Sequence, residues 1–124
     1  RQQESYNFQK ISAILADYGF ATIKLNDDWQ SADFIAQHID GNTFLKVQLK
    51  SRLTFGKKYR NKNIHICFPN NNTWYLYDHD ELLDILLQKY SKTMAESVSW
   101  KLRDGYSWAK LSKDHLEILE KYKL

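Results

Sequence analysis

The pattern that most constrains this chain is a pair of alternating segments around a tight turn. Thr43 to Ser51 sets Leu45, Val47 and Leu49 at every second position, with Phe44, Lys46, Gln48 and Lys50 between them. That period of two belongs to a half-buried β-strand. Ala32 to Ile39 reads as the strand before it, and Asp40-Gly41-Asn42 is strong hairpin punctuation. An antiparallel pair joined there brings Asp33 near the level of Gln48 and Lys50.

The other segments fit around this hairpin. Glu4 to Tyr18 predicts an amphipathic helix, with Phe8, Ile11, Ile14, Leu15 and Tyr18 inward and Gly19 as its C-cap. Phe20 to Leu25 reads as a strand, ended by Asn26-Asp27-Asp28. Arg52 to Asn63 reads as a basic loop. Asn63 to Phe68 and Thr73 to Tyr77 read as strands joined at Pro69-Asn70-Asn71-Asn72. Asp78 is placed to cap a helix to about Tyr90, with Leu82, Leu83, Ile85, Leu86 and Leu87 on its apolar side. Ser97 to Leu102 has the pattern of a short edge strand. Ser112 suits the N-cap of a last helix through Tyr122, with Leu116, Ile118 and Leu119 inward. The expectation is one α/β domain over residues 1–124, a mixed central sheet flanked by helices.

Charge is unevenly spread. From Gly41 to Tyr77 there is no Asp or Glu, but there are Lys46, Lys50, Arg52, Lys57, Lys58, Arg60 and Lys62. The remaining chain sets eleven Lys and Arg against fifteen Asp and Glu, a net of −4. A basic segment interleaved with Thr54, Phe55 and Tyr59 suits phosphate contacts and so a nucleic acid, and the plain alternative is a solvated loop made basic for solubility. The lone Cys67 rules out an intrachain disulfide and a four-cysteine zinc site. No apolar run nears the ~20 residues of a membrane helix. Arg1 to Phe20 is polar and amphipathic, unlike a signal peptide. A reduced, cytoplasmic protein without membrane attachment is the expectation.

The residues that bear chemistry lie on the hairpin. Gln48 and Lys50, two apart, project from one face of a strand, and Asp33 stands across from them. An acid, an amide carbonyl and an ammonium in one place could bind Mg²⁺ through oxygen and orient a water or stabilise a phosphate. The plain alternative is that Gln48 and Lys50 only cover the polar face of a half-buried strand.

Ser31-Ala32-Asp33-Phe34-Ile35-Ala36 followed by Phe44-Leu45-Lys46-Val47-Gln48-Leu49-Lys50-Ser51 resembles the PD-(D/E)xK nuclease superfamily. That superfamily includes restriction enzymes, archaeal Holliday-junction resolvases and some homing endonucleases. The resemblance spans roughly Glu4 to Tyr77. It implies a restriction-endonuclease-like fold and Mg²⁺-dependent (or Mn²⁺-dependent) phosphodiester hydrolysis. Asp33 matches the first acid and Lys50 the lysine. Gln48 stands where most members carry the second acid, and some relatives are similar in having Gln-x-Lys there. Glu4, on the first helix, is the nearest match to the helix glutamate, though a first-turn acid favoured by the helix dipole has the same appearance. On this resemblance Asp33 and Gln48 would be metal ligands, and Arg52, Lys57, Lys58, Arg60 and Lys62 would hold DNA.

Other candidates have ordinary explanations. Asp78-His79-Asp80-Glu81 has the look of a metal cluster, but acids at a helix start are commonly caps. His38, His65 and His115 lack ligand spacing. Cys67 fits a buried thiol. Trp74, Tyr75 and Tyr77 could stack on bases, but fit core packing better. The two leading functions are a metal-dependent DNA endonuclease or resolvase-like enzyme, and a catalytically inactive nuclease-fold module that binds DNA or protein. A third is an interaction protein in which Asp80 to Tyr90 and Ser112 to Tyr122 form a homodimer face.

Overall fold

A computed structural model describes residues 2–29, 31–95 and 105–124. Helix α1 (Gln2–Asp17) leads into β1 (Phe20–Trp29), β2 (Ala32–His38) and β3 (Phe44–Leu49). Next come β4 (Leu53–Gly56), a 3-10 turn (Lys57–Tyr59), β5 (Ile64–Asn70) and β6 (Thr73–Asp78). Helix α2 (His79–Ala95), β7 (Gly105–Trp108), α3 (Lys113–Leu119) and a second 3-10 turn (Glu120–Tyr122) complete the order. The α/β class expected from the sequence is the class observed.

Five strands form one mixed sheet in the order β1-β2-β3-β5-β6, and β4 pairs with β7 in a small second sheet. Neighbours in the large sheet are antiparallel except β3 and β5, which are parallel. Parallel neighbours cannot be joined by a tight turn, so the chain between them must leave one end of the sheet and return at the other. Residues 50–63 make that crossover and carry β4 along it. Two apolar clusters follow. Ile11 and Leu15 of α1 cover Phe34, Ala36, Val47, Cys67 and Trp74. Leu82, Leu83 and Leu86 of α2 and Leu119 of α3 share the second cluster with Leu53, Phe55, Ile64, Ile66, Tyr75 and Tyr77.

Local chemistry explains the boundaries. Gly19 ends α1 in the left-handed region (φ 87°), as its C-cap role requires. The β2–β3 turn is tied by the Asp40 carboxylate, which accepts from the Asn42 and Thr43 N–H groups at 2.7 and 2.9 Å. The Asn42 bond first, then those of Thr43, hold that carboxyl down to about 2. Asn71 and Asn72 both have positive φ (51° and 66°) and form the two-residue turn between β5 and β6. Asp78 caps α2 through the Glu81 N–H (3.1 Å). Ser112 caps α3 by accepting from the His115 N–H (3.1 Å), while His115 Nδ1 accepts from the Ser112 N–H.

Several expectations need correction. The Arg52–Asn63 segment is not simply a loop, because Leu53 and Phe55 are buried as β4 and Tyr59 is buried behind them. Strand β1 does not stop at Leu25 but runs, with an irregularity, to Trp29. The β5–β6 turn is shorter than Pro69–Asn72, since Pro69 and Asn70 are themselves paired. Tyr18 is 50% exposed and does not join the α1 core face. On α3, Leu119 is buried and Ile118 packs against the same core as expected, while Leu116 is exposed and His115 is buried in its stead. Trp74, Tyr75 and Tyr77 lie in the core and are not available for stacking. The apolar faces of α2 and α3 lie in the chain's own core. The expected strand at Ser97–Leu102 lies outside the described residues, and β7 had no counterpart in the sequence reading.

Two glycines allow a direct check. Gly41, in the β2–β3 turn, has φ 77° and open space where a Cβ would project. Gly41→Ala should cost about 1 kcal/mol of unfolding free energy, from backbone strain alone. At Gly19 a Cβ would also lie 2.9 Å from His38 Nε2, so Gly19→Ala should cost more. Urea unfolding of both variants beside the wild type measures the order, and equal costs would mean that the His38 contact relaxes freely.

Candidate active site

The hairpin register builds the site. Phe34 pairs with Val47 and Ile35 with Lys46, so one step onward sets Asp33 opposite Gln48. The Leu49 N–H donates to Asp33 Oδ2 at 2.8 Å, which fixes the carboxylate against the end of β3. On the other side of β3, the Lys50 N–H donates to the Cys67 carbonyl of β5 at 2.9 Å. The backbone that carries Gln48 and Lys50 is thereby held from both edges of β3.

Asp33, Gln48 and Lys50 line one cleft of about 610 Å³. Glu4, from the first turn of α1, lines it too. So does Asp27, which the sequence reading assigned only to a turn. Its presence traces to the β1 irregularity. From Lys24↔Phe34 to Trp29↔Ala32, β1 advances five residues while β2 advances two, and the extra residues bow outward into the cleft. Gln48 Oε1 is buried and has no hydrogen-bond partner. A buried carbonyl left so costs roughly 1–3 kcal/mol, and a donor or a cation beside it would remove that cost. Among the described residues no three His, Cys, Asp or Glu side chains gather tightly enough to hold an ion by themselves. The Asp78–Glu81 run, in particular, serves as a helix cap and a hydrogen-bonded pair.

A second, larger cleft of about 1090 Å³ adjoins the first, and Lys50 lines both. Arg52, Lys57 and Lys58 line it from the crossover, and Tyr106, Ser107 and Trp108 from β7. Lys50 Nζ and Lys58 Nζ each approach the Tyr59 ring, at 5.5 and 5.2 Å from its centroid. Comparison with family models, curated proteins and solved structures returns no match. The site's chemistry is therefore argued from its own geometry.

The five basic residues expected to hold DNA do not form one group. Arg52, Lys57 and Lys58 face the larger cleft. Arg60 turns to α2, bonding Asp84 at 2.7 Å and lying 3.9 Å from Asp80. Lys62 is exposed outside the cleft, and its carbonyl accepts from Lys46 Nζ at 2.6 Å. Cys67 is buried, and burial pushes its thiol up, so it is no nucleophile. Sequence reasoning missed Tyr106 and Trp108 because they arrive from a strand more than forty residues after the crossover.

A polar latch anchors the crossover to α2. The His79 ring is fully buried, and its Nε2 accepts from the Gly56 N–H at 3.1 Å. Nδ1 then carries the proton and faces Asp80 Oδ1 at 2.8 Å, while Asp80 Oδ2 accepts from the Asn61 N–H at 2.9 Å. Burial, outweighing the pull of Asp80, holds His79 below its ordinary value of 6.5. Burial also lowers His65 and His115. For all three the unfolded chain takes up a proton before the folded one does. Stability should thus be level above pH 7 and fall as pH drops below about 6.5, ahead of carboxylate titration. Urea midpoints between pH 8 and 5 test this, and a midpoint that rises on acidification would contradict it.

Proposed function

We propose that this chain is a cytoplasmic, metal-dependent DNA phosphodiesterase, an endonuclease or resolvase-like enzyme. The observation that carries the reading is the unpartnered Gln48 Oε1, buried beside Asp33 and Lys50 in a cleft that opens onto a basic one. Its donors are hard oxygens, which suit Mg²⁺ or Mn²⁺. Asp33 and Gln48 would hold the ion, and when bound it would supply Lewis-acid charge to the scissile phosphate. Two protein ligands suit Mg²⁺, which is often held by one or two carboxylates together with substrate phosphates.

The chain's own groups divide the remaining work. Lys50 neutralises charge that develops on the phosphate, or orients the attacking water. Leu49 keeps the Asp33 carboxylate aimed through its N–H. Glu4 and Asp27 add negative charge at the cleft wall. Arg52, Lys57 and Lys58 hold the DNA backbone, while Arg60 serves mainly to fix the crossover on α2. A homodimer face on α2 and α3 would use their outer residues, since their apolar faces lie in the chain's own core.

The neutral side chain of Gln48 favours a second reading, an inactive nuclease-fold module that binds DNA or protein. Three variants separate the two. For an enzyme, Lys50→Ala should leave Mn²⁺ binding nearly intact but lower cleavage by about a hundredfold or more. Asp33→Ala should lose both, and Gln48→Glu should keep or strengthen ion binding by adding a charged oxygen. Calorimetry with Mn²⁺ beside cleavage of plasmid, branched and single-stranded DNA reads all of these. Wild-type protein that neither binds the ion nor cuts any DNA form rules out the catalytic reading.

A further inference from the structure

The larger cleft pairs positive charge with aromatic rings in a way that phosphate binding does not require. Tyr106 and Trp108 stand two apart on β7, so they share a side of that strand. Both are only half-buried, so each leaves part of its ring open to the cleft it lines. Their centroids are 4.6 Å apart at an interplanar angle of 46°. Phe55 (5.9 Å) and His115 (4.9 Å) pack against the edge or face of Trp108 and hold it in place. Among the described residues no Asp or Glu lines this cleft.

We propose that Tyr106 and Trp108 form a base-stacking platform for an unpaired stretch of nucleic acid, whose phosphates lie on Arg52, Lys57 and Lys58. A duplex keeps its base faces inside the helix and can offer a cleft only phosphates and groove edges. An unpaired base exposes its face, and every base has one, so the platform selects strand state and not sequence. Lys50 borders both clefts, so a strand seated on β7 continues toward Asp33 and Gln48. The cutting part of this inference rests on the phosphodiesterase reading, and the substrate class becomes DNA with unpaired nucleotides beside the scissile bond. The binding part stands without it.

The test uses the full chain with EDTA, so that no cutting occurs. Fluorescence anisotropy follows a labelled single-stranded DNA of about a dozen nucleotides, the same sequence as RNA, and its blunt DNA duplex. The single strand should bind tighter than the duplex. Tyr106→Ala should weaken single-strand binding by about tenfold or more, with duplex binding changed by less than about twofold. Trp108→Phe, which keeps a ring and the core contact, should retain most of the affinity that Trp108→Ala loses. RNA bound as tightly as DNA would mean a platform blind to the sugar, and weaker RNA binding would mean a DNA-selective one; both outcomes support the site. A duplex preferred over the single strand, or ring variants that weaken both alike, would overturn it. If the ring variants lose single-strand binding as expected and the wild type still cuts nothing with Mn²⁺, the catalytic reading fails and the platform stands.

Discussion

The register of the β2–β3 hairpin is the constraint on which the rest depends. Side chains on a strand alternate between faces, so a slip of β2 by one residue would carry Asp33 away from Gln48 and turn Phe34 and Ala36 out of the α1 core together. The apolar cost and the loss of the site are therefore one event. The turn protects against this slip through covalent geometry and hydrogen bonds. Gly41 adopts a backbone conformation that other residues resist, and Asp40 collects the Asn42 and Thr43 N–H groups that would otherwise lack partners. The Leu49 N–H bond to Asp33 closes the far end, so the hairpin is fixed at both limits.

The parallel step from β3 to β5 is the second organiser. It forces the chain to leave the sheet just beyond Lys50, and the first residues it then places are Ser51 and Arg52. Ends of strands at such a step are open ground, because the neighbouring backbone departs there. The basic crossover thus begins at the mouth of the Asp33 cleft by topology, with no special contact needed. Leu53, Phe55 and Tyr59 pull the crossover down onto the second core, and the His79–Asp80 latch ties its backbone to α2. The exposed lysines ride on a rigid support, which lowers the entropy lost when they engage a polyanion.

How far the sequence revealed this depended on the range of the interaction. The hairpin, α1 with its glycine cap, and the caps at Asp78 and Ser112 are local patterns, and each was legible. So was the level of Asp33 against Gln48 and Lys50, because a single turn decides it. Strand β4 was hidden because four residues between lysines carry little periodicity, and its burial comes from α2 and β7. Asp27 was hidden because a bulge leaves no alternation to read. Tyr106 and Trp108 were hidden because β7 joins β4 only through tertiary pairing. His115 was hidden as a buried residue because its ring is held by the Ser112 N–H and packed on Trp108, contacts that leave no apolar pattern.

The neutral Gln48 has an electrostatic consequence on the proposed reading. Among the described residues, the charged groups of the smaller cleft are Glu4, Asp27 and Asp33 against Lys24 and Lys50, a formal balance of −1. A carboxylate at position 48 would double that charge and hold an ion firmly before any substrate arrived. With an amide there, the ion gains less from the protein and relatively more from the phosphate oxygens that complete its shell. A phosphodiester entering from the basic cleft also meets less repulsion. Ion and DNA then bind as partners, each raising the affinity of the other by the same factor, because the coupling is reciprocal. The larger cleft supplies the DNA affinity in this scheme, so the crossover lysines and the Gln48 amide are two halves of one device: charge removed from the metal ligands is balanced by charge that gathers the substrate.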